Sequence, residues 1–208
     1  MYLQITDHCN MFCDHCGFSC GPRKKNFMPL EVAKKALNEF CSEYITIGGG
    51  EPTCHPDFLM ILGYASVVCT EAQPHVITNG KNEYFVRKLS FARREGNFTL
   101  EISKDEFHEP LSPGMDKFVK NNKLYRENKH GRISKRGRAI KTGVWTEDYC
   151  ICEDILIDPH GDIYQCGCKG KKGFMGNIMT LSNKELLEGI NMVRDFESEK
   201  GSSCIRTK

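Results

Sequence analysis

The 208-residue chain lacks a strong net charge, a long apolar run and an apparent internal repeat. Its 29 Lys and Arg residues nearly balance 27 Asp and Glu residues, so the total charge by itself indicates no class of partner. No basic start followed by an apolar stretch marks a secretion signal. The longest apolar run, FLMILGYASVVC at 58–69, is too short to span a bilayer. These absences predict a cytoplasmic protein with no membrane contact.

Cysteine, in contrast, is abundant, although the 12 cysteines fall below the density of a disulfide scaffold. In a reducing cytoplasm, metal or cluster ligation is the favoured use. The stretch CNMFCDHC sets Cys9, Cys13 and Cys16 on one short loop, where three thiolates can hold one metal or one cluster. A structural zinc ion would need a fourth ligand, from Cys20 or a nearby histidine. An iron–sulfur cluster held by three cysteines would instead leave one iron open to a small molecule.

Short β-branched runs alternate with helical patterns through the first 128 residues. The predicted strands are 2–6, 44–48, 75–79 and 98–103, and the predicted helices are 29–43, 56–70, 82–93 and 113–128. This alternation predicts parallel βαβ units, in which the loops after the strand ends build the active site. Residues 153–166 instead predict a hairpin, followed by an amphipathic helix at about 182–199. We therefore expect a domain boundary near residue 143, giving units of 1–143 and 144–208.

Two motifs at predicted strand ends carry a family resemblance. CNMFCDHC after the first strand and GGGEP at 48–52 after the second resemble the radical S-adenosylmethionine (radical SAM) enzyme superfamily. The resemblance implies an α/β fold built as a partial (β/α) barrel. Only 34 residues separate Ser103 from Arg138, so we expect a shortened barrel of four or five units. A shortened barrel has a wide open side, which favours a large substrate.

The resemblance also implies the chemistry. Cys9, Cys13 and Cys16 would bind three irons of a 4Fe–4S cluster, and S-adenosylmethionine (SAM) would chelate the fourth. One electron from an external flavodoxin- or ferredoxin-like donor would cleave SAM to a 5′-deoxyadenosyl radical, which removes a hydrogen atom from the substrate. The rival hypothesis, a non-catalytic iron–sulfur or zinc binding protein, has no need of the Gly-Gly-Glu-Pro motif.

Further motif positions would bind SAM. Gly49 and Gly50 would let the backbone approach its methionine part, and Glu51 would face its ammonium group. The other expected contributions are Pro52 fixing the turn, Asn79 near the methionine end, Ser103 and Asp105 near the ribose or carboxylate, Arg138 near the carboxylate, and the His15 backbone near adenine.

A second cysteine group is expected at the two ends of the predicted hairpin. It consists of Cys150, Cys152, Cys166 and Cys168, with Cys204 as a substitute for one of them. The spacing resembles the start of SPASM and Twitch regions, which carry auxiliary iron–sulfur clusters, but the later cysteines of a full SPASM domain are missing. A Twitch-like region with one auxiliary cluster is therefore expected. Zinc stays a rival, because four thiolates serve either metal.

The substrate class is left between two alternatives. The resemblance to SPASM and Twitch relatives favours a peptide, a protein or an amino-acid-like group. Residues 117–143, however, hold ten Lys or Arg and one acidic residue, Glu127. A basic rim of this kind, taken over 117–141, would suit the phosphates of a nucleotide or nucleic acid, and a solvated helix face is the plainer interpretation.

Overall fold

A single sheet runs through the part of the chain that the computed structural model describes. The described residues are 1–40, 44–127, 132–147, 155–169, 173–182, 184–186 and 188–189. The predictions for Cys150, Cys152 and Cys204, and most of the helix expected at 182–199, lie outside these residues.

Eight strands form this sheet among the described residues. They are β1 (Tyr2–Thr6), β2 (Thr46–Gly49), β3 (His75–Thr78), β4 (Thr99–Lys104), β5 (Tyr125–Glu127), β6 (Leu156–Ile157), β7 (Asp162–Tyr164) and β8 (Phe174–Asn177). Their order is β5-β4-β3-β2-β1-β6-β7-β8. The strands β1 to β6 are parallel, whereas the β6–β7 and β7–β8 pairs are antiparallel. The expected α/β fold with an open, partial parallel sheet is confirmed.

Helices follow each of the first five strands. They are α1 (Leu30–Glu39), α2 (Phe58–Val68), α3 (Glu83–Ala92), α4 (Pro113–Asn121) and α5 (Arg138–Thr142), with a 3₁₀ turn at Pro52–Cys54. Side-chain caps start two of them, because Asn82 and Ser112 accept hydrogen bonds from the N–H groups of Phe85 and Met115. None of the described helices is long and apolar enough to cross a membrane.

The two faces of the parallel strands have different neighbours. Leu3, Ile47 and Ile102 are completely buried in the main hydrophobic core, which also includes residues of the helices. Successive side chains of a strand point to opposite faces of the sheet. Tyr2 and Ser103, each next to one of these core residues in sequence, therefore face away from the core and line a cavity. One face of the sheet holds the core and the other is available for a site.

The β6–β7 hairpin extends the same sheet. β6 pairs in parallel with β1, where Tyr2 lies opposite Leu156. The turn before β7 places Gly161 at φ +84°, a conformation that side chains disfavour. The Asp158 carboxylate accepts a hydrogen bond from the N–H of Asp162 and holds the turn. The predicted hairpin is thus present, beside the strand that leads into the cysteine motif.

Candidate active site

A cavity of about 620 Å³ lies where the first five strands end. This volume is typical of a site for a cofactor or small ligand. Nine of the residues expected from the sequence line it, namely Cys9, Cys13, His15, Cys16, Gly49, Gly50, Asn79, Ser103 and Asp105. Glu51, Pro52 and Arg138 are not among the lining residues. The loops after four different strands therefore meet in one site.

Backbone and side-chain N–H groups point at the cysteine sulfurs. The Met11 N–H donates to Cys9 Sγ at 3.4 Å, and the Cys20 N–H donates to Cys16 Sγ at 3.3 Å. Asn79 Nδ2 lies 3.7 Å from Cys9 Sγ. Such donors stabilise negative charge on sulfur and are a usual feature of iron–sulfur sites. The donor set of three thiols on one cavity wall therefore fits a cluster with one open iron.

Burial keeps two of these thiols protonated at neutral pH. It raises the pKa of Cys9 to about 12 and that of Cys13 to about 11. A hydrogen bond from the Cys20 thiol lowers the pKa of Cys16. Because thiolates are the ligands of iron, binding must displace protons from Cys9 and Cys13.

Gly49 and Gly50 let two loops approach each other closely. The Gly50 N–H donates to Thr6 O at 2.7 Å, and the Glu51 N–H donates to His8 O at 2.8 Å. A β-carbon at Gly50 would clash with the His8 carbonyl oxygen, and one at Gly49 would clash with the Thr6 carbonyl oxygen. The glycines thus join the end of β2 to the cysteine loop (residues 7–21), a requirement that the resemblance did not supply.

Glu51 is completely buried and connects the loop after β2 to the end of β3. Its Oε1 accepts hydrogen bonds from the Thr53 N–H, the Thr53 hydroxyl and the Thr78 hydroxyl. Its Oε2 accepts the Asn79 N–H at 2.8 Å. Burial raises the pKa of this carboxyl, while these hydrogen bonds favour the ionised form. The structure therefore places Glu51 behind the cavity wall, with its carboxylate bonded to the protein. Pro52 follows as the first residue of the 3₁₀ turn.

Arg138 is also buried, and its guanidinium fixes the cysteine loop. Nη1 donates to the Cys13 carbonyl at 2.6 Å, and Nη2 donates to the Cys20 carbonyl. The guanidinium lies 3.4 Å from the centre of the Phe12 ring. Gly137 precedes it at φ +56°, where a β-carbon would clash with the Gly17 carbonyl oxygen. Arg138 thus holds the cysteine loop from behind and is not among the residues lining the cavity, where the resemblance implied it would lie.

Among the described residues one acidic side chain lines the cavity, that of Asp105, and two histidines contact it. His108 Nδ1 lies 2.7 Å from Asp105 Oδ1, and His15 Nε2 lies 3.2 Å from Asp105 Oδ2. Burial alone would raise the pKa of Asp105, but the hydrogen bond from His108 and the histidine charges outweigh it and lower that pKa. Burial lowers the pKa of His15. Both carboxylate oxygens of Asp105 therefore have an imidazole nitrogen beside them within the cavity wall.

Sequence reasoning did not identify the cationic lining of the cavity residue by residue. Lys104, Arg126, Arg132 and Arg136 all line it, the last three from the basic segment. In the β4–β5 register, Arg126 lies opposite Ser103. Its side chain is 55% exposed, and Nε lies 3.7 Å from Glu101 Oε2. The sequence shows that residues 117–143 are rich in Lys and Arg, but only the fold decides which of these side chains reach the cavity.

Two cysteines of the second group, Cys166 and Cys168, are among the described residues, and they lie next to the cavity wall. Cys166 and Cys168 flank Gly167, in the segment after β7. A β-carbon at Gly167 would clash with Arg136 Nη1 and would lie 3.4 Å from the Phe18 ring. Both Phe18 and Arg136 line the cavity. A second metal centre on these cysteines stays a prediction.

A family comparison adds to this geometry. The Radical SAM superfamily model matches residues 3–135, well over half of the chain. The chain belongs to this superfamily. Radical SAM membership makes the protein an enzyme and implies the two expected cofactors, a 4Fe–4S cluster and SAM. The cysteine loop on the cavity wall fits both.

Curated relatives of this radical SAM chain include two different activities. GTP 3′,8-cyclase from Pasteurella multocida (strain Pm70) is 33% identical over 128 residues, which are 56% of this chain and 36% of that protein. Mycofactocin maturase MftC from Mycobacterium tuberculosis (strain CDC 1551 / Oshkosh) is 36% identical over 66 residues, which are 30% of this chain and 17% of that protein. The chain thus spans little more than a third of the cyclase and less of the maturase.

Solved structures of the same fold cover most of the chain. BtrN in complex with AdoMet and 2-DOIA is 15% identical with a TM-score of 0.64, over 98% of this chain and 89% of BtrN. Native anSMEcpe with bound AdoMet and Cp18Cys peptide is 15% identical with a TM-score of 0.57, over 90% of this chain and 79% of anSMEcpe. At this identity the similarity shows the shared fold.

Proposed function

We propose that the protein reductively cleaves SAM and uses the resulting radical to remove a hydrogen atom from a large substrate. The observation that carries the proposal is the wall of the 620 Å³ cavity, where Cys9, Cys13 and Cys16 meet polar residues from three other strand ends. A 4Fe–4S cluster held by the three cysteines would supply the electron that cleaves SAM to methionine and the 5′-deoxyadenosyl radical. The protein's part is to bind and orient SAM and to keep the radical away from water.

Residues at different strand ends would bind different parts of SAM. Ser103 and Arg126 lie side by side on β4 and β5, so a hydroxyl and a guanidinium can hold the SAM carboxylate together. This pair takes the role expected of Arg138, which is bonded to the cysteine loop. Asn79 lies beside Cys9 and is suited to the methionine end. Asp105 and the His15 backbone are the candidates for the ribose and adenine.

Two substrate classes are compatible with an open cavity. A peptide, protein or amino-acid-like group follows from the SPASM and Twitch resemblance, and the anSMEcpe structure of the same fold carries a bound peptide. A nucleotide or nucleotide-linked group is the second class. It is favoured by the arginines in the cavity wall, and one relative is by name a GTP cyclase. In either case a flavodoxin- or ferredoxin-like protein is the proposed electron donor.

Anaerobic reconstitution tests the proposed reaction. The wild-type protein, given iron, sulfide, dithionite and SAM, is expected to form 5′-deoxyadenosine, measured by liquid chromatography and mass spectrometry. Replacing Cys9, Cys13 or Cys16 with Ala should abolish this product and most of the cluster iron, because each removes one of three ligands. Cys69→Ala is the matched control, since Cys69 is a core residue outside the cavity. Absence of 5′-deoxyadenosine in the wild type would refute the enzyme hypothesis.

We also propose an auxiliary iron–sulfur cluster on Cys166 and Cys168 together with Cys150 and Cys152. A four-thiolate site would stabilise the hairpin region, whose described residues contribute few side chains to the core. A variant with Cys9, Cys13 and Cys16 all replaced by Ala should then retain about four irons. One zinc per chain in anaerobically purified protein, with no iron in that variant, would favour the zinc rival.

A further inference from the structure

Both polar atoms of the Asn79 side chain are hydrogen-bonded. Nδ2 donates to Asn10 Oδ1 at 2.8 Å and lies 3.7 Å from Cys9 Sγ, while Oδ1 accepts the Lys81 N–H at 3.0 Å. Because the Lys81 N–H can only donate, it must face Oδ1, and this fixes the orientation of the amide. The NH₂ group of Asn79 is therefore held on the side of the Cys9 sulfur.

The backbone of Asn79 is held by the buried Glu51 carboxylate. The Asn79 N–H donates to Glu51 Oε2 at 2.8 Å, and the hydroxyl of the preceding Thr78 donates to Oε1. The N–H of the following Gly80 donates in turn to the Thr78 hydroxyl at 3.1 Å. A continuous path of hydrogen bonds thus runs from Glu51 of the second motif through Asn79 to Cys9 of the first.

The N–H groups that point at the cysteine sulfurs differ in whether a substitution can remove them. Met11 and Cys20 contribute backbone N–H groups to Cys9 and Cys16, and these stay in place whatever the side chain is. Asn79 contributes a side-chain amide. Asn79 and Cys9 are each only 8% exposed, so little water competes for this contact.

We propose that Asn79 is a positioning residue whose amide, acting through the Cys9 sulfur, raises the midpoint potential of the 4Fe–4S cluster. The inference rests on the proposed function and adds to it a residue that controls how easily the electron arrives. Reduction adds negative charge, part of which resides on the ligand sulfurs, so a donor at Cys9 stabilises the reduced form more than the oxidised form. Oδ1 keeps a second lone pair, which stays available to the SAM ammonium group.

The midpoint potential is measured without SAM, so that a contact between Asn79 and SAM does not affect it. Reconstituted protein is titrated anaerobically with reductant, the reduced cluster is followed by electron paramagnetic resonance, and the iron per chain is determined. The spectrum of the variant with Cys9, Cys13 and Cys16 all replaced by Ala is subtracted, because it contains only the signal of any second centre.

Two substitutions remove the donor. Asn79→Ala should lower the equilibrium constant for reduction about threefold, which is about 30 mV for a one-electron couple, because one weak hydrogen bond is lost. Asn79→Leu should give a similar shift, because Leu has nearly the size of Asn but no donor. Asn122→Ala is the matched control and should keep the wild-type potential, since Asn122 Nδ2 donates to the Phe118 carbonyl and Asn122 does not line the cavity.

A measurement on the wild-type protein does not depend on how the variants fold. Protein carrying a heavy nitrogen isotope in its asparagine side-chain amides is reconstituted and reduced, and the hyperfine coupling of this nitrogen to the cluster is measured by pulsed electron paramagnetic resonance. We expect a coupling in the wild type that disappears in Asn79→Leu. Absence of the coupling from the wild type, or its persistence in Asn79→Leu, would overturn the inference.

The outcomes separate this inference from the proposed function. A midpoint potential that is unchanged in both Asn79 variants, or that shifts equally in Asn122→Ala, would overturn the role of Asn79 while 5′-deoxyadenosine formation by the wild type continues. A lowered potential in the two Asn79 variants alone, together with no 5′-deoxyadenosine from the wild type, would instead overturn the proposed reaction and leave the role of Asn79 standing.

Discussion

Replacement of Glu51 by Gln tests whether this residue supports the site or contacts SAM. The carboxylate accepts hydrogen bonds from four donors, at Thr53, Thr78 and Asn79, and is completely buried. A Gln side chain has the same shape, but one of its terminal groups is a donor. If the Gln oxygen takes the place of Oε1, the Gln amide nitrogen faces the Asn79 N–H. Two buried hydrogen-bond donors then face each other without an acceptor.

The cost follows from these contacts. An unsatisfied buried N–H costs about 1–3 kcal/mol, and the three other hydrogen bonds each lose about 1 kcal/mol of charge assistance. Part of this loss is offset, since a neutral amide is less costly to bury than a carboxylate. We expect Glu51→Gln to lower the free energy of unfolding by about 2–4 kcal/mol. With an m-value of about 3 kcal/mol per molar, a loss of about 3 kcal/mol lowers the urea midpoint by about 1 M.

The assay is anaerobic urea unfolding of reconstituted protein, followed by circular dichroism, with SAM affinity measured in parallel. Glu95→Gln is the control, because Glu95 is exposed and its change should stay within about 0.5 kcal/mol. The reasoning would be refuted by an unchanged urea midpoint with a strongly weakened SAM affinity. That result would mean that the Glu51 carboxylate acts on the SAM ammonium group and that its contacts with Thr78 and Asn79 are dispensable.

Three further substitutions, the first paired with a control substitution, test other contacts in the fold. Gly50→Ala should destabilise the protein by about 1–3 kcal/mol and lower its iron content, because the new methyl group clashes with a backbone carbonyl. Gly63→Ala on α2 is the control and should instead stabilise the protein by about 0.4–1 kcal/mol, because no atom lies within 4 Å of the added carbon. If both substitutions changed the urea midpoint equally, the close approach of Gly50 to the His8 carbonyl would be contradicted. Arg138→Lys should cost about 1.5–3 kcal/mol and reduce iron retention on gel filtration, because one guanidinium serves two carbonyls; unchanged retention would argue against this role. His55 has a pKa lowered by burial, so its neutral form stabilises the fold above pH 6.5 and this stability is lost as the pH falls below that value. The drop in urea midpoint between pH 8 and pH 6 should therefore shrink in His55→Gln, and an equal drop would show that His55 is not the titrating group.

The sequence by itself determined the elements of the radical SAM core and the chemistry of its first loop. Period-two and helical patterns predicted strands and helices that the structure contains, because those patterns reflect burial on one face of each element. Cys9, Cys13 and Cys16 were predicted as cluster ligands from their spacing and the motif that it resembles, since ligands on one short loop need no knowledge of the rest of the fold. Gly49 and Gly50, at the end of β2, could also be predicted from the sequence, because they belong to the Gly-Gly-Glu-Pro motif.

Tertiary structure decided which side chains share a space and which way they face. Glu51 and Arg138 belong to motifs, yet their hydrogen bonds join loops more than twenty residues apart in sequence, and no local pattern shows that both point away from the cavity. Ten Lys and Arg residues occur between 117 and 143, and of those that the structure describes only Arg126, Arg132 and Arg136 line the cavity. Their selection depends on the parallel register of β4 and β5 and on the anchoring of the segment after β5, and both are long-range contacts that exist only in the folded chain.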